Sequence, residues 1–277
     1  MFNARSLLFV PGHRPDRFEK ALDSDADLVC IDLEDAVPVA QKADARSMVC
    51  DFLEGCDPSL LQRIVIRVSA AESDEGRVDL YALSKARLPA RLMLAKTESA
   101  GDVATAATLL DQPVGWIALV ESASGLLAME AICRDSTLDA VMFGGGDFAA
   151  QLGAEFAWEP LLWARSQMAV IAAAYRLPLI DVPFLDVRDS LGLEAETRRV
   201  AALGYAAKAA IHPAQIDGIH RGFAPTAEAL RQARDIVDAF EQARGGAVVV
   251  NGRMVDQPIV DSARRLIARG NTEKEFV

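Results

Sequence analysis

Between residues 6 and 211 the chain repeats one alternation eight times. A short apolar run ends in a polar residue or glycine, and a stretch of helical periodicity generally follows. The runs cover 6–10, 28–31, 64–66, 92–94, 116–120, 140–143, 179–182 and 206–211. Runs this short, apolar at successive positions, predict strands buried on both faces, as in parallel sheets covered by helices. Helical patterns at 14–22, 42–52, 75–87, 104–110, 160–175 and 191–203 supply the cover. Eight such units in little more than two hundred residues predict an α/β fold, a (β/α)8 TIM barrel. An open doubly wound sheet is the alternative; the even spacing and the polar strand ends favour closure. The barrel is expected over 1–222. A C-terminal extension follows over 223–277, with a helix at 227–244, a Gly245-Gly246 break, a strand at 247–250, a tight turn at Asn251-Gly252 and a last helix at 259–269. Such an extension serves as a lid, an oligomerisation arm, or both, and its tail is expected to fray.

Charge and cysteine usage narrow the function. A net charge of −11 argues against nucleic acid, whose phosphates need a basic face. No apolar run approaches a membrane span, and the N-terminus has no export signal, so a cytoplasmic protein is expected. Cys30, Cys50, Cys56 and Cys133 form no metal-binding spacing and read as reduced packing thiols.

The fifth and sixth runs carry the strongest chemical signal. Trp116-Ile117-Ala118-Leu119-Val120 leads to Glu121, and Ala140-Val141-Met142-Phe143 leads through Gly144-Gly145-Gly146 to Asp147. Acids at the C-terminal tips of neighbouring parallel strands converge on one mouth, where barrels place their chemistry. Two carboxylates there suit a hard divalent cation such as Mg2+, which keeps sites for water and substrate oxygens. The competing reading is a helix N-cap or a solvated strand end. Asp32, Glu34, Asp35, Arg67, Lys96 and His212 complete the same rim. Acids without cations would repel, so a metal with Arg67 and Lys96 balances the charge. The Arg67 fork suits a carboxylate or enolate oxygen, or else a rim salt bridge to Glu34 or Asp35. The glycine run turns backbone N–H groups toward a bound anion, so Gly145 and Gly146 are candidate substrate contacts. His220, in a polar helix, is expected to be solvated.

Seven motifs, in order, carry a resemblance to a family. They are Arg5-Ser6-Leu7-Leu8-Phe9-Val10-Pro11-Gly12, Asp32-Leu33-Glu34-Asp35-Ala36-Val37, Lys42-Ala43-Asp44-Ala45-Arg46, Ile66-Arg67-Val68, Glu121-Ser122-Ala123-Ser124-Gly125, Gly144-Gly145-Gly146-Asp147-Phe148 and Ile211-His212-Pro213-Ala214-Gln215. The chain resembles the citrate lyase β-subunit-like proteins, within the HpcH/HpaI aldolases and malyl-CoA or citramalyl-CoA lyases. The resemblance runs from Arg5 to about Pro258. It implies a homo-oligomer, a trimer or hexamer, that binds Mg2+ and cleaves or forms a carbon–carbon bond in a CoA thioester.

Carried over by position, the resemblance makes Glu121 and Asp147 the metal ligands and Arg67 the holder of the keto-acid or enolate oxygen. Asp256 resembles a lid aspartate supplied by a neighbouring subunit, although it also suits an N-cap for the last helix. Glu34 and Asp35 stand among the catalytic candidates, and Lys96, Arg14 and Lys20 among the substrate contacts. Arg46, with Arg14 and Lys20, is a candidate for CoA phosphates or for a solvated helix face.

Departures from the family pattern fall in the substrate pocket. Asp35 replaces the histidine of pyruvate-type aldolases. Ser69, Ala95 and His13 replace a usual Asn, Pro and Asn, and Gly146 stands where many relatives carry an acid. The implied reaction takes a 3-hydroxyacyl-CoA such as citramalyl-, malyl- or citryl-CoA to acetyl-CoA and a 2-keto acid. The alternatives are a class II aldolase acting on free aldehydes, a malyl-CoA thioesterase, and a citrate lyase β-chain that works on acyl carrier protein within a complex.

Overall fold

The computed structural model describes residues 4–243 and 246–272. Arg244 and Gly245, where the first extension helix was expected to end and break, and the tail 273–277 lie outside the described residues, as do residues 1–3. By its contacts the chain divides into two compact units, Met1–Gly222 and Phe223–Val277.

The first unit is a closed barrel of eight parallel strands. They are β1 Ser6–Pro11, β2 Leu28–Asp32, β3 Ile64–Val68, β4 Arg91–Leu94, β5 Gly115–Val120, β6 Leu138–Phe143, β7 Leu179–Asp181 and β8 Ala207–Ala210. Each pairs with its sequence neighbour, and β8 closes on β1 with Ser6 opposite Lys208. Closure removes both sheet edges, so the open-sheet alternative is excluded.

Between and after the strands run α1 Phe18–Leu22, α2 Lys42–Gly55, α3 Asp74–Ser84, α4 Ala100–Thr108, α5 Ala123–Ile132, α6 Gly145–Leu152, α7 Trp158–Tyr175, α8 Ser190–Ala202 and α9 Ile216–Phe223. Side-chain oxygens start several of them: Ser73, Ser122 and Asp189 accept from the backbone N–H three residues on. The expected helix at 14–22 is split into a 3-10 turn, Pro15–Arg17, and the short α1. Helix α6 was not anticipated, because its glycine-rich start lacks an apolar period.

Strand alternation sets the barrel interior. Leu7, Leu28, Cys30, Val65, Met93, Ile117, Leu119, Ala140, Met142, Ile180, Ala207 and Ala209 belong to one buried cluster, with Phe9 packed against it. Within each strand these positions are two apart, so they share the inward face. Continuing that parity past the apolar layer reaches Asp32 on β2, Arg67 on β3 and Glu121 just after β5. The fold thereby turns three charged side chains into the mouth. At the opposite end, the Arg5 backbone N–H donates to Asp27 at 2.7 Å, and the His220 Nε2 lies 2.9 Å from Ser6 Oγ and 3.5 Å from Asp27. His220 is therefore a partly buried part of the barrel floor, contrary to the expectation of a solvated residue; the tertiary fold brings a carboxylate and a hydroxyl to it.

In the second unit, α10 Ala227–Gln242 and α11 Gln257–Thr272 pack together, with a hairpin of β9 Val248–Val250 and β10 Arg253–Val255 between them in sequence. Asn251 and Gly252 turn the hairpin with φ of 49° and 78°, the left-handed conformation that an Asn-Gly pair accepts. Phe240, Val255 and Val260 form the buried core of this unit. Among the described residues no helix is long and apolar enough to cross a membrane.

Candidate active site

Arg67 is held from two sides at the mouth. Its Nε and Nη2 donate to Asp32 Oδ1 and Oδ2 at 2.6 and 2.5 Å, and its Nη1 lies 3.2 Å from Glu34. The guanidinium also stands 5.2 Å from the centroid of the Phe9 ring. Asp32 is fully buried and also accepts the N–H groups of Glu34 and Ala36, so it fixes both the fork and the loop after β2. Of the two expected rim partners of Arg67, Glu34 takes the role. Asp35 faces Lys96 instead, at 3.8 Å.

Lys96 ties this cluster to the next strand. Its Nζ donates to Glu34 Oε1 at 2.6 Å, and its backbone N–H donates to Glu121 Oε1 at 2.8 Å. It does so at φ 53°, in the left-handed region that non-glycine residues rarely occupy. Burial lowers the tendency of the Lys96 ammonium to stay charged, but the Glu34 hydrogen bond and the surrounding carboxylates outweigh it and raise its pKa.

Glu121 is 6% exposed. Its carboxyl is pushed up to about 7, chiefly by burial and further by repulsion from Glu34 and Asp147; the Lys96 N–H and Arg67 oppose the rise. Asp147 differs from the expectation of an acid at a strand tip. Strand β6 ends at Phe143, and Asp147 stands in the first turn of α6, on the exposed side of the rim. The helix N-terminus favours its negative charge. No ion-pair partner of Asp147 is found among the described residues.

The glycine run opens helix α6 instead of forming a loop. Gly144 is the N-cap of α6, while Gly145 and Gly146 begin the helix. A Cβ on Gly144 would fall on the Cβ of Glu121, and one on Gly145 would lie 2.7 Å from Val182 Cγ1. These two glycines let α6 approach β5 and the loop after β7. A Cβ on Gly146 meets nothing within 4 Å, so no packing demands a glycine there.

Arg67, Glu121 and Asp147 open on a bowl of about 770 Å3 whose walls also include Phe9, Asp35 and Gly146, while Glu34 and Lys96 do not line it. Lys20 also lines it, as expected, and so does Arg17. Arg14 does not: it pairs with Asp16 at 2.8 Å on the surface. Arg46 pairs with Glu75 and Asp79, joining α2 to α3 rather than facing a phosphate. His212 lines the bowl, with its Nδ1 accepting from the Ala214 N–H, which leaves Nε2 as the donor nitrogen of the neutral ring. In the second unit, Asp256 Oδ1 faces the N–H of Ile259 at 3.5 Å, a long contact at the start of α11.

The donor set fits a hard cation. Glu121 and Asp147 line the same bowl, repel each other, and bring oxygens alone. Asp32 and Glu34 are already saturated by Arg67 and Lys96. Among the described residues no group of three or more His, Cys, Asp or Glu side chains forms a fuller cage. Two protein oxygens leave the remaining positions to water and ligand, the arrangement Mg2+ prefers.

Comparison with known proteins bears on this geometry. The family model for HpcH/HpaI aldolase/citrate lyase matches residues 5–213, the barrel with its rim acids. The chain belongs to the HpcH/HpaI aldolase/citrate lyase family. Within that family, it is 34% identical to the mitochondrial citramalyl-CoA lyase of Homo sapiens, over 98% of this chain and 86% of that protein. It is 32% identical to a (3S)-malyl-CoA thioesterase of Cereibacter sphaeroides, over 98% of this chain and 96% of that protein. Among solved structures, the protein CitE of Mycobacterium tuberculosis in complex with magnesium, acetoacetate and coenzyme A superposes with a TM-score of 0.88. That pair is 34% identical over 97% of this chain and 98% of the other. The chain is therefore a lyase-family enzyme whose fold CitE shares.

Proposed function

We propose that the protein is a Mg2+-dependent carbon–carbon lyase that cleaves, or forms, a 3-hydroxyacyl-CoA thioester, yielding acetyl-CoA and a 2-oxo acid. Citramalyl-CoA is the first candidate, with malyl- and citryl-CoA beside it. The observation that carries the reading is the pair Glu121 and Asp147. They are rim carboxylates without a balancing side-chain cation of their own, and they share a bowl with a guanidinium whose position is fixed by Asp32. The magnesium in the CitE complex and the name of the human relative support it.

Glu121 and Asp147 would hold the metal. When bound, Mg2+ supplies a Lewis acid for the carboxylate and carbonyl oxygens of the 2-oxo acid. Arg67 would stabilise the negative charge that grows on the thioester oxygen as the bond breaks; its fork is already oriented, so little reorganisation is needed. Lys96 shares Glu34 with Arg67, which fixes that acid at the rim. Lys20 and Arg17 are the bowl's cations for the anionic end of CoA. Asp256 would carry the proton to or from the acyl methyl, from a lid that a neighbouring subunit of a trimer or hexamer supplies. Gly145 and Gly146 would offer backbone N–H groups to the 2-oxo acid carboxylate.

Incubating the purified chain with citramalyl-, malyl- and citryl-CoA, with and without chelator, tests the reading. The expected result is Mg2+-dependent release of acetyl-CoA and a 2-oxo acid. Release of free CoA without acetyl-CoA would establish a thioesterase instead. Activity on free aldehydes without any CoA ester would establish an aldolase, and dependence on acyl carrier protein a citrate lyase subunit.

A further inference from the structure

Among the described residues, Lys96, Arg176 and Asn251 hold a left-handed backbone without being glycine, at φ of 53°, 58° and 49°. Two of them have local reasons. Arg176 closes the C-terminal end of α7, and Asn251 turns the hairpin of the second unit. Lys96 follows β4 at the barrel mouth and ends no helix. Strain of this kind persists only where the surroundings over-determine it, and it gathers at functional sites.

Neighbouring strands hold Lys96 from both sides. The Ala95 N–H donates to the Val68 carbonyl of β3 at 3.1 Å, and the Thr97 N–H donates to the Leu119 carbonyl of β5 at 3.0 Å. Ala95 and Thr97 are fully buried, and Thr97 Oγ1 donates back to the Leu94 carbonyl at 2.9 Å. The Lys96 N–H is thereby turned to Glu121 Oε1. The side chain adds a third tie. Its Nζ reaches Glu34 Oε1 at 2.6 Å, and Glu34 is itself held by the Asp35 N–H and by Arg67.

This arrangement divides the two oxygens of Glu121. Oε1 is taken by the Lys96 peptide, whereas Oε2 lies on the Gly144 side, where a Cβ on that glycine would stand 2.8 Å from it. Among the described residues nothing donates to Oε2. Gly144 caps α6, and Asp147 stands in the first turn of that helix. The free oxygen is therefore the one beside the helix that carries the second acid. Lys96 itself does not line the bowl, and its ammonium is committed to Glu34, so its role is not a direct substrate contact.

We propose that Lys96 is a positioning residue for the metal: its left-handed peptide N–H fixes Oε1 of Glu121 so that Oε2 meets the cation, and its ammonium, tied to Glu34, holds that peptide in place. The proposal rests on the reading of Glu121 and Asp147 as the Mg2+ ligands, and it adds the device that aims one of them.

Substitutions at this position separate the peptide from the ammonium. Lys96→Gly and Lys96→Ala both lose the tie to Glu34, but only glycine accepts the left-handed backbone without steric cost. Titration of the full chain with Mn2+, a stand-in for Mg2+ at oxygen ligands, reads binding by electron paramagnetic resonance without turnover. The alanine variant is expected to bind Mn2+ about tenfold more weakly than the native protein, the scale of left-handed strain once its tie is gone. The glycine variant should stay within about threefold of native, because its backbone needs no tie. Lys96→Asn, whose side chain tolerates the left-handed region better than alanine, should fall between them and replaces the alanine variant if that one does not fold. Equal Mn2+ affinities in the substituted proteins, whether native-like or weak, would overturn the positioning role and leave the metal reading intact. Failure of the native protein to bind Mn2+ would remove the metal reading and the positioning role with it.

Discussion

Arg67 and Asp32 meet fork to fork across neighbouring strands, with both nitrogen–oxygen distances at or below 2.6 Å and the carboxylate fully buried. Asp32 takes four donors in all: two from Arg67 and the N–H groups of Glu34 and Ala36. Asp32→Asn offers one acceptor oxygen where two are used and leaves the guanidinium without its counter-charge. Breaking one side of such a pair costs about 3–5 kcal/mol. The urea midpoint is expected to fall accordingly, and kcat/KM to fall at least tenfold in the folded fraction. Native stability and native kcat/KM together would show that Arg67 needs no such anchor.

Glu121 is a buried carboxylate without an ion-pair partner among the described residues. Its replacement by glutamine removes a desolvated charge, so the metal-free protein is expected to become more heat-stable at pH 8. In the native protein, added Mg2+ should raise the melting temperature by mass action, and in Glu121→Gln that increment should vanish together with turnover. A Mg2+-dependent rise in melting temperature that survives in the variant would take Glu121 out of the metal site.

Gly144 and Gly146 make opposite predictions although they are two residues apart. An alanine at 144 drives its Cβ into the Glu121 side chain, so a loss of about 2 kcal/mol in stability and a weakened Mg2+ affinity are expected. An alanine at 146 meets open space within a helical turn, so a gain of about 0.5–1 kcal/mol is expected. Denaturation curves of the two variants decide the matter; the same sign for both would refute the steric account.

Asp27, on the barrel floor, titrates far from the chemistry. Burial acts to raise its carboxyl pKa, but hydrogen bonds from His220 and Arg5 prevail and hold it well below the usual carboxylate range. A depressed carboxylate stabilises the fold above its unfolded pKa, about 3.9, and that contribution drains away as pH falls toward the folded value. Asp27→Asn should therefore lose about 2 kcal/mol at pH 7 and show a flatter decline below about pH 4. Turnover per folded molecule should stay at the native level. An unchanged acid limb in the variant's stability curve would assign acid sensitivity to another group.

Asp256 separates chemistry from metal binding. With asparagine at 256, Mg2+ affinity should match the native value while turnover drops about a hundredfold or more, as for loss of a positioned base. Full turnover would leave Asp256 with its helix-capping role.

The strands were readable because each is a local signal: a run such as Leu28-Val29-Cys30-Ile31 must be buried wherever it goes, and its closing acid must then meet the strand end. The place of Glu121 at the mouth was legible for the same reason, as an acid placed after an apolar run, whereas Asp147 stands in the first turn of α6. Partnership was not legible, because it depends on residues far apart in the chain. The Arg67 fork belongs to Asp32, thirty-five residues away, and His220 is drawn to Asp27 and Ser6 across the floor. Lys208 sits inside a short apolar strand on the parity that faces away from the barrel interior, and it becomes tolerable when pairing with β7 brings Asp181, and helix α8 brings Glu196, to it. Local composition thus determined which segments are buried and where charge emerges. Tertiary structure decided which charges neutralise one another and which are left for a ligand, because an ion pair depends on distance in space rather than on order along the chain.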